Sequence, residues 1–216
     1  MAVQQAVAAA AQRFHRSVAH PAKRLMDVVG ATVLLVLTAP ILAVAALGIA
    51  VLQGGPVIHR RRVLGLGGRP FDAFKLRSMV TGADAQLARL PELRKAFERN
   101  FKLDKDPRIT RLGAWLRRWS IDELPQLVNV LRGEMSLVGP RMITADELAK
   151  YGSFADQVVT LRPGLTGLWQ VSGRQLIDYG ARVRLDVEYV QHWSLLRDIK
   201  IVCLTPFVVM SAKGAK

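Results

Sequence analysis

The chain is 216 residues long, half of them apolar, with 31 Lys and Arg against 17 Asp and Glu and a formal net charge of +14. That length suits one domain, or one domain plus a membrane element, and the apolar share is too high for a disordered basic tail. One cysteine, Cys203, excludes a disulfide framework and a Cys-rich zinc site, and His15, His20, His59 and His192 lack metal-ligand spacing.

Residues 1–20 read as an Ala-rich helix with basic residues at its end, within a basic interfacial segment over 1–22. Val28 to Leu52 then carries no charged residue over 25 positions, and about 20 apolar residues suffice to cross a bilayer as a helix. A cleaved signal peptide fits poorly, because residues 1–12 lack a basic side chain and the apolar run is too long and too late. Arg13, Arg16, Lys23 and Arg24 precede the run, and Arg60, Arg61, Arg62, Arg69, Lys75 and Arg77 follow it. The cytoplasmic side collects Lys and Arg, so a single crossing would send one basic cluster to the wrong face. Pro40, in the middle, removes a backbone hydrogen bond and predicts a kink, with Thr38 placed to satisfy a freed carbonyl. A helix that enters, bends at Pro40 and leaves on the same face satisfies both flanks; an ordinary kinked span stays open.

Gly54-Gly55-Pro56 ends this element, and residues 57–80 look extended. Alternation there sets Lys75 and Arg77 on one face and Phe74 and Leu76 on the other. Gly65-Leu66-Gly67-Gly68 precedes an extended segment rather than a helix, so it reads as a hairpin turn and not a phosphate cradle. Residues 82–100 suit a polar helix interrupted at Pro91, and Asp104 to Pro107 a turn. Residues 120–132 form an amphipathic helix, with Ile121, Leu124, Leu127, Val128 and Leu131 as its stripe and Asp122, Glu123, Gln126 and Asn129 opposite. A further helix runs over 180–193. The apolar run Ile201 to Met210, interrupted by Pro206, is too short to span and belongs to the core or the interface.

Two features carry candidate chemistry. In Ser120-Ile121-Asp122-Glu123, paired carboxylates open a helix in an Arg-rich chain. The spacing of Ser120 and Glu123 is that of a capping box, which alone accounts for the acids. The functional alternative makes Asp122 a carboxylate nucleophile and Glu123 a metal or proton handler. Arg141, Arg162 and Arg174 each stand beside Gly or Pro, where a turn holds a guanidinium fork that matches phosphate oxygens; the plain reading is a solvated or lipid-facing charge. Trp115, Trp119, Trp169 and Trp193 fit either an interfacial belt or the core.

Seven pieces in order give the chain a wider resemblance: Lys23-Arg24-Leu25-Met26-Asp27, Phe74 to Met79, Ser120 to Leu127, Gly133 to Arg141, Arg162 to Gly167, Gln170 to Arg174 and Leu185 to Val190. Together they resemble the bacterial sugar transferases, the monotopic phosphoglycosyl transferases, over about Lys23 to Lys200. The resemblance implies an α+β, mostly helical fold: a re-entrant membrane helix over 23–56 broken at Thr38 and Pro40, and a compact cytoplasmic catalytic domain over 57–216 with interfacial amphipathic helices. The family's break is a Ser-Pro pair; this chain has Ala39-Pro40, and Met142 where many relatives carry Pro.

The implied reaction moves a sugar 1-phosphate, here a hexose 1-phosphate, from a UDP-sugar to polyprenyl phosphate with Mg²⁺. It would be the first membrane step of exopolysaccharide, capsule or other glycoconjugate synthesis, on the cytoplasmic face of the bacterial inner membrane. Asp122 is implied to attack the sugar-bearing phosphate and Glu123 to assist at the metal. Arg141, Arg162, Arg174, Lys75, Arg77, Arg117, Gln170 and Asp186 are implied to bind phosphate or nucleotide. Partners are then the UDP-sugar, the polyprenyl phosphate and the bilayer, with no nucleic acid. The competing readings are a non-enzymatic basic protein holding anionic polymer or nucleic acid at a membrane, and an inactive membrane scaffold. The arginines stand singly rather than in a stripe and the Asp122-Glu123 pair is intact, which favours the enzyme.

Overall fold

The computed structural model describes residues 21–100, 103, 106–173 and 177–211; the helix expected over residues 1–20 lies outside them. Helix α1 spans Pro21–Gln53, 33 residues with Pro40 inside, and opens on a proline whose missing N–H costs nothing there. Straight, it would measure about 50 Å. It is the helix among the described residues long and apolar enough to cross a membrane.

Its burial divides it into three parts. Lys23, Asp27 and Ala31, spaced one turn apart, are buried, as are Ala45 and Ile49. Between Thr32 and Val44 no residue is buried, and Val36 and Leu37 are two-thirds exposed. Both ends therefore dock on the folded body while the section around Pro40 does not. Thr38 Oγ1 donates to Leu34 O at 2.7 Å, not to Val36 O, the carbonyl four residues before Pro40 that the proline leaves without its usual partner. The expected repair of that carbonyl is thus not made by Thr38, whose back-bond instead favours a bend.

Strands β1 (Ile58–Leu64) and β2 (Pro70–Leu76) form an antiparallel hairpin with Ile58 opposite Leu76 and Leu64 opposite Pro70. A 3₁₀ turn at Leu66–Gly68 joins them, with Gly67 and Gly68 at φ 65° and 72°. The expected hairpin turn is present, because a two-stranded reversal needs positive φ there. Helices α2 (Ala83–Ala88) and α3 (Pro91–Asn100) follow, separated at Pro91 as expected, then α4 (Arg111–Arg118).

The stretch 120–132 departs from one continuous helix. Ser120 adopts φ 57°, Ile121–Glu123 is a single 3₁₀ turn, and α5 begins only at Gln126 and ends at Leu131. Pro125 is the cause: inside a helix started at Ile121 its ring would clash with the Ile121 carbonyl. Gln126 and Asn129, expected on an outer face, are 2% and 0% exposed. Asn129 accepts from Phe74 N at 3.0 Å and donates to Asp72 O at 2.8 Å, closing the free edge of β2.

Strand β3 (Ser136–Val138) pairs in parallel with β4 (Gly164–Thr166), Ser136 opposite Gly164 and Val138 opposite Thr166. Between them run α6 (Ala145–Leu148) and α7 (Ala155–Val158), with a 3₁₀ stretch at Ala149–Phe154. The chain ends in α8 (Leu168–Val171), α9 (Tyr179–Gln191) and α10 (Leu195–Met210). Pro206 lies within α10 and does not break it; Ile201 is buried there, while Leu204, Phe207 and Met210 are half to three-quarters exposed.

The main core joins Ala31, Val63, Ala73, Leu127, Val130, Met135, Tyr189 and Ile201, so α1, the hairpin, α5 and the last two helices share one interior. A second cluster joins Ala45 and Ile49 to Leu76, Leu116 and Ile121. Fastening α1 is a buried ionic group: Lys23 Nζ lies 2.8 Å from Asp198 Oδ2 and 3.5 Å from Asp27 Oδ1, and donates to Val138 O at 3.0 Å. Asp27 accepts from Ser136 Oγ and Leu137 N, and Asp198 from Tyr189 and Trp193. Every charge in it has a partner, as burial demands.

Candidate active site

Asp122 is placed by three short pieces rather than by a helix start. Gly113 in α4 packs so closely on Ser78 that a Cβ would sit 1.9 Å from the Ser78 carbonyl oxygen. That contact brings α4 onto the end of the hairpin, and Arg117 Nε then donates to Ser78 Oγ at 2.9 Å. Ser120, the non-glycine residue with positive φ among the described residues, reverses the chain into the Ile121–Glu123 turn. No side-chain cap from Ser120 is made there, so the capping box read in Ser120 and Glu123 is absent.

Asp122 is 6% exposed and faces an open cavity of about 1020 Å³. Burial first, and the neighbouring Glu123 charge second, push its carboxyl up to about 6, against the pull of Lys75 and Arg117. Lys75 Nζ meets Glu123 Oε1 at 2.6 Å. Lys75, Arg77 and Arg117 line the cavity together, as the alternation of β2 anticipated for the first two. Arg77 also donates to Gly54 O, at the end of α1, and to Thr81 Oγ1 at 3.3 Å. Pro56 is in the cavity wall, so the cavity reaches the exit of the apolar helix.

Other cavity walls carry a second basic group. The β3–β4 pair is tight: a Cβ on Gly164 would lie 2.1 Å from Gly139 N. This closeness fixes the Gly139-Pro140-Arg141 turn, and Asp186 Oδ1 accepts from Arg141 N at 2.9 Å. The Arg141 guanidinium sits 5.0 Å from the Trp169 ring centre, and Arg182 4.8 Å from the same ring. Glu147 Oε1 lies 3.8 Å from Arg141 Nη2, and Glu147 Oε2 lies 3.2 Å from Arg61 Nη2. Gln170 completes this part of the wall.

Three residues named from the sequence fall elsewhere. Arg162 donates to Gly133 O at 2.7 Å and lines a crevice of about 20 Å³ with Lys23 and Asp27, away from the large cavity. The turn that holds it faces α1, not the carboxylates. Asp186 does not line the cavity: 1% exposed, it sits behind Arg141, accepting also from Tyr151 at 2.7 Å, and burial lifts its carboxyl to about 6. Arg174 lies outside the described residues. Conversely, Arg61, His59, Gln126, Trp169 and Arg182 line the cavity and are not among the site residues expected from the sequence. Three were within reach: strand alternation puts His59 and Arg61 on one face, and Arg182 stands one helical turn before Asp186.

Among the described residues no group of three or more His, Cys, Asp and Glu could hold a metal ion by itself. Asp122 and Glu123 do suit Mg²⁺ in its usual manner, one or two carboxylates with the remaining positions taken by substrate phosphates and water. An ionisable carboxylate beside several cations, in a cavity of this volume, can carry out phosphoryl transfer from a diphosphate.

The sequence profile of the bacterial sugar transferases matches residues 18–212. The chain is 43% identical over 197 residues to the undecaprenyl-phosphate galactose phosphotransferase of Salmonella typhimurium, covering 89% of this chain and 41% of that protein. It is 42% identical over 204 residues to the exopolysaccharide production protein ExoY of Rhizobium meliloti, covering 93% and 90%. It is 44% identical over 191 residues to the UDP-glucose:undecaprenyl-phosphate glucose-1-phosphate transferase of Caulobacter vibrioides, covering 85% and 67%. The chain thus spans about two fifths of the Salmonella relative and nine-tenths of the Rhizobium one.

Proposed function

This chain belongs to the bacterial sugar transferase family, and on that footing we propose that it transfers a hexose 1-phosphate from a UDP-sugar to undecaprenyl phosphate, releasing UMP. One observation carries the reading: Asp122 is buried in the wall of a cavity that Lys75, Arg77, Arg117 and Arg141 also line and that extends to the end of the apolar helix. The names of the Salmonella and Caulobacter relatives support the acceptor and a galactose or glucose donor.

The transfer runs in two displacements. Lys75, Arg117 and Arg141 answer the charge of the donor diphosphate. A carboxylate oxygen of Asp122 bonds to the sugar-bearing phosphorus while the bond from that phosphorus to the bridging oxygen breaks, and UMP leaves with that oxygen. A phosphate oxygen of the lipid then attacks the same phosphorus, displacing the Asp122 carboxylate and forming the polyprenyl diphosphate sugar. Lys75 holds Glu123 in place beside the reacting group. Mg²⁺, held by Glu123 and the diphosphate, would supply charge neutralisation at the phosphoryl oxygens.

We read α1 as re-entrant in the cytoplasmic leaflet of the inner membrane. Its docked ends, its unburied centre at Pro40 and the basic residues at both ends support this. The test of the activity is a panel of UDP-sugars with undecaprenyl phosphate and the full chain in lipid discs. UMP release is expected with UDP-glucose or UDP-galactose, and Asp122→Asn should lower it by about a thousandfold or more, as removal of a nucleophile does. Full turnover by Asp122→Asn would overturn the mechanism.

A further inference from the structure

The group around Trp169 has no part in placing Asp122, yet its charge is unbalanced. Arg141 and Arg182 cover the indole at 5.0 and 4.8 Å, and Arg61 stands on the other side of Glu147. Glu147 is the carboxylate paired with Arg61 and Arg141, and Asp186 spends one oxygen on a backbone N–H and the other on Tyr151. Arg182 is 4% exposed and Trp169 6% exposed. Arg141 Nε, Arg182 Nε and Trp169 Nε1 are all buried without a hydrogen-bond partner. Neighbouring guanidiniums repel and buried N–H groups without acceptors are costly, so a site built this way is completed by an anion. The buried indole is already taken by two guanidiniums, which makes it a poor platform for a stacked nucleobase. The ligand chemistry is therefore a phosphate.

We propose that Arg182, seated on Trp169 beside Arg141, binds the phosphate that leaves with the nucleotide. This deepens the transfer argued above and rests on it for the identity of the donor. In the first displacement the bridging oxygen keeps the electron pair of its broken bond to the sugar-bearing phosphorus and becomes a terminal oxygen of the nucleoside monophosphate. The negative charge on that phosphate rises as the bond breaks. A guanidinium pinned by an indole meets it without rearrangement, which is where charge stabilisation is most effective. Arg182 thereby favours nucleoside diphosphate donors over sugar phosphates that lack the second phosphate.

The test is equilibrium binding of UMP and of uridine, with no sugar donor present, to the full chain in lipid discs. The wild-type protein should bind UMP far better than uridine. Arg182→Met should weaken UMP by about 10- to 100-fold, the size of one or more charge-assisted hydrogen bonds, and leave uridine unchanged. Arg182→Lys, which keeps the charge and guards against misfolding of the Met variant, should recover only part. An unchanged ratio of UMP to uridine affinity in both variants would overturn the proposal. Failure of the covalent mechanism is read separately, because UMP binding needs no chemistry at Asp122.

Discussion

At the scale of the residue, the decisive property is the burial of Asp122. A carboxyl raised to about 6 is protonated below that pH and cannot act as a nucleophile. Turnover should therefore fall as pH drops through about 6, and initial rates across pH 5 to 8 check it. The same shift fixes the sign of the effect on stability. Between its ordinary value near 3.8 and about 6 the folded state binds the proton more tightly, so stability contributed by Asp122 is lost as pH rises through that window. Asp122→Asn should accordingly unfold at a higher temperature than the wild-type chain at pH 7 while being inactive. Arg141 makes a second test: its stack on Trp169 and its place in the cavity call for a planar fork. Arg141→Ala should lower turnover strongly and Arg141→Lys restore only part; full activity of the lysine variant would indicate bare charge. The carboxylate pair was legible at an expected helix start and this arginine beside a turn. Their surroundings were not, because the αL turn at Ser120 and the break at Pro125 set Asp122 by steric exclusion rather than by periodicity.

At the scale of the element, α1 concentrates the fold's unusual demands. Its charged residues Lys23 and Asp27 lie within the core, tied to Asp198 in α10 across 175 positions of sequence. Lys23→Met leaves the buried Asp27 and Asp198 carboxylates without their shared cation, which costs about 3–5 kcal/mol. Thermal unfolding should show that loss, and the Lys23→Met, Asp198→Asn double variant should lose less than the two singles added together. Sequence reading recognised Lys23 as part of a basic flank and missed its partner, since nothing in local spacing joins the first helix to the last. Pro40 carries the second demand. With Cys203→Ser as background, cysteines placed at Ala22 and Arg60, both exposed, should react with an impermeant reagent from the same side of sealed vesicles. Labelling from opposite sides would convert the re-entrant reading into a span. Pro40→Leu, which restores the missing helix hydrogen bond, should shift the population toward that span.

At the scale of the whole molecule, the net charge of +14 resolves into separate places. Lys75, Arg77, Arg117, Arg141 and Arg182 surround one cavity, while Arg24 and Arg162 brace the join between α1 and α5 through Val130 O, Leu131 O and Gly133 O. That distinction was invisible in the sequence, where Arg141 and Arg162 look alike beside Gly and Pro. Only packing separates a cation in the cavity wall from one that closes a helix end. Whereas the mostly helical α+β class came with the family resemblance, the hairpin and the apolar helix followed from periodicity and turn residues, which act locally. The parallel β3–β4 pair did not, because three residues per strand give too short a period to read. Cavity, carboxylate and apolar helix together make one claim, that a sugar phosphate is carried on Asp122 between a soluble donor and a lipid. Mass spectrometry of the full chain incubated with donor alone tests it most directly. UMP should be released in about one equivalent, with a phosphosugar adduct on Asp122 that is absent from Asp122→Asn. Release of UMP only after undecaprenyl phosphate is added, with no adduct at any time, would contradict it.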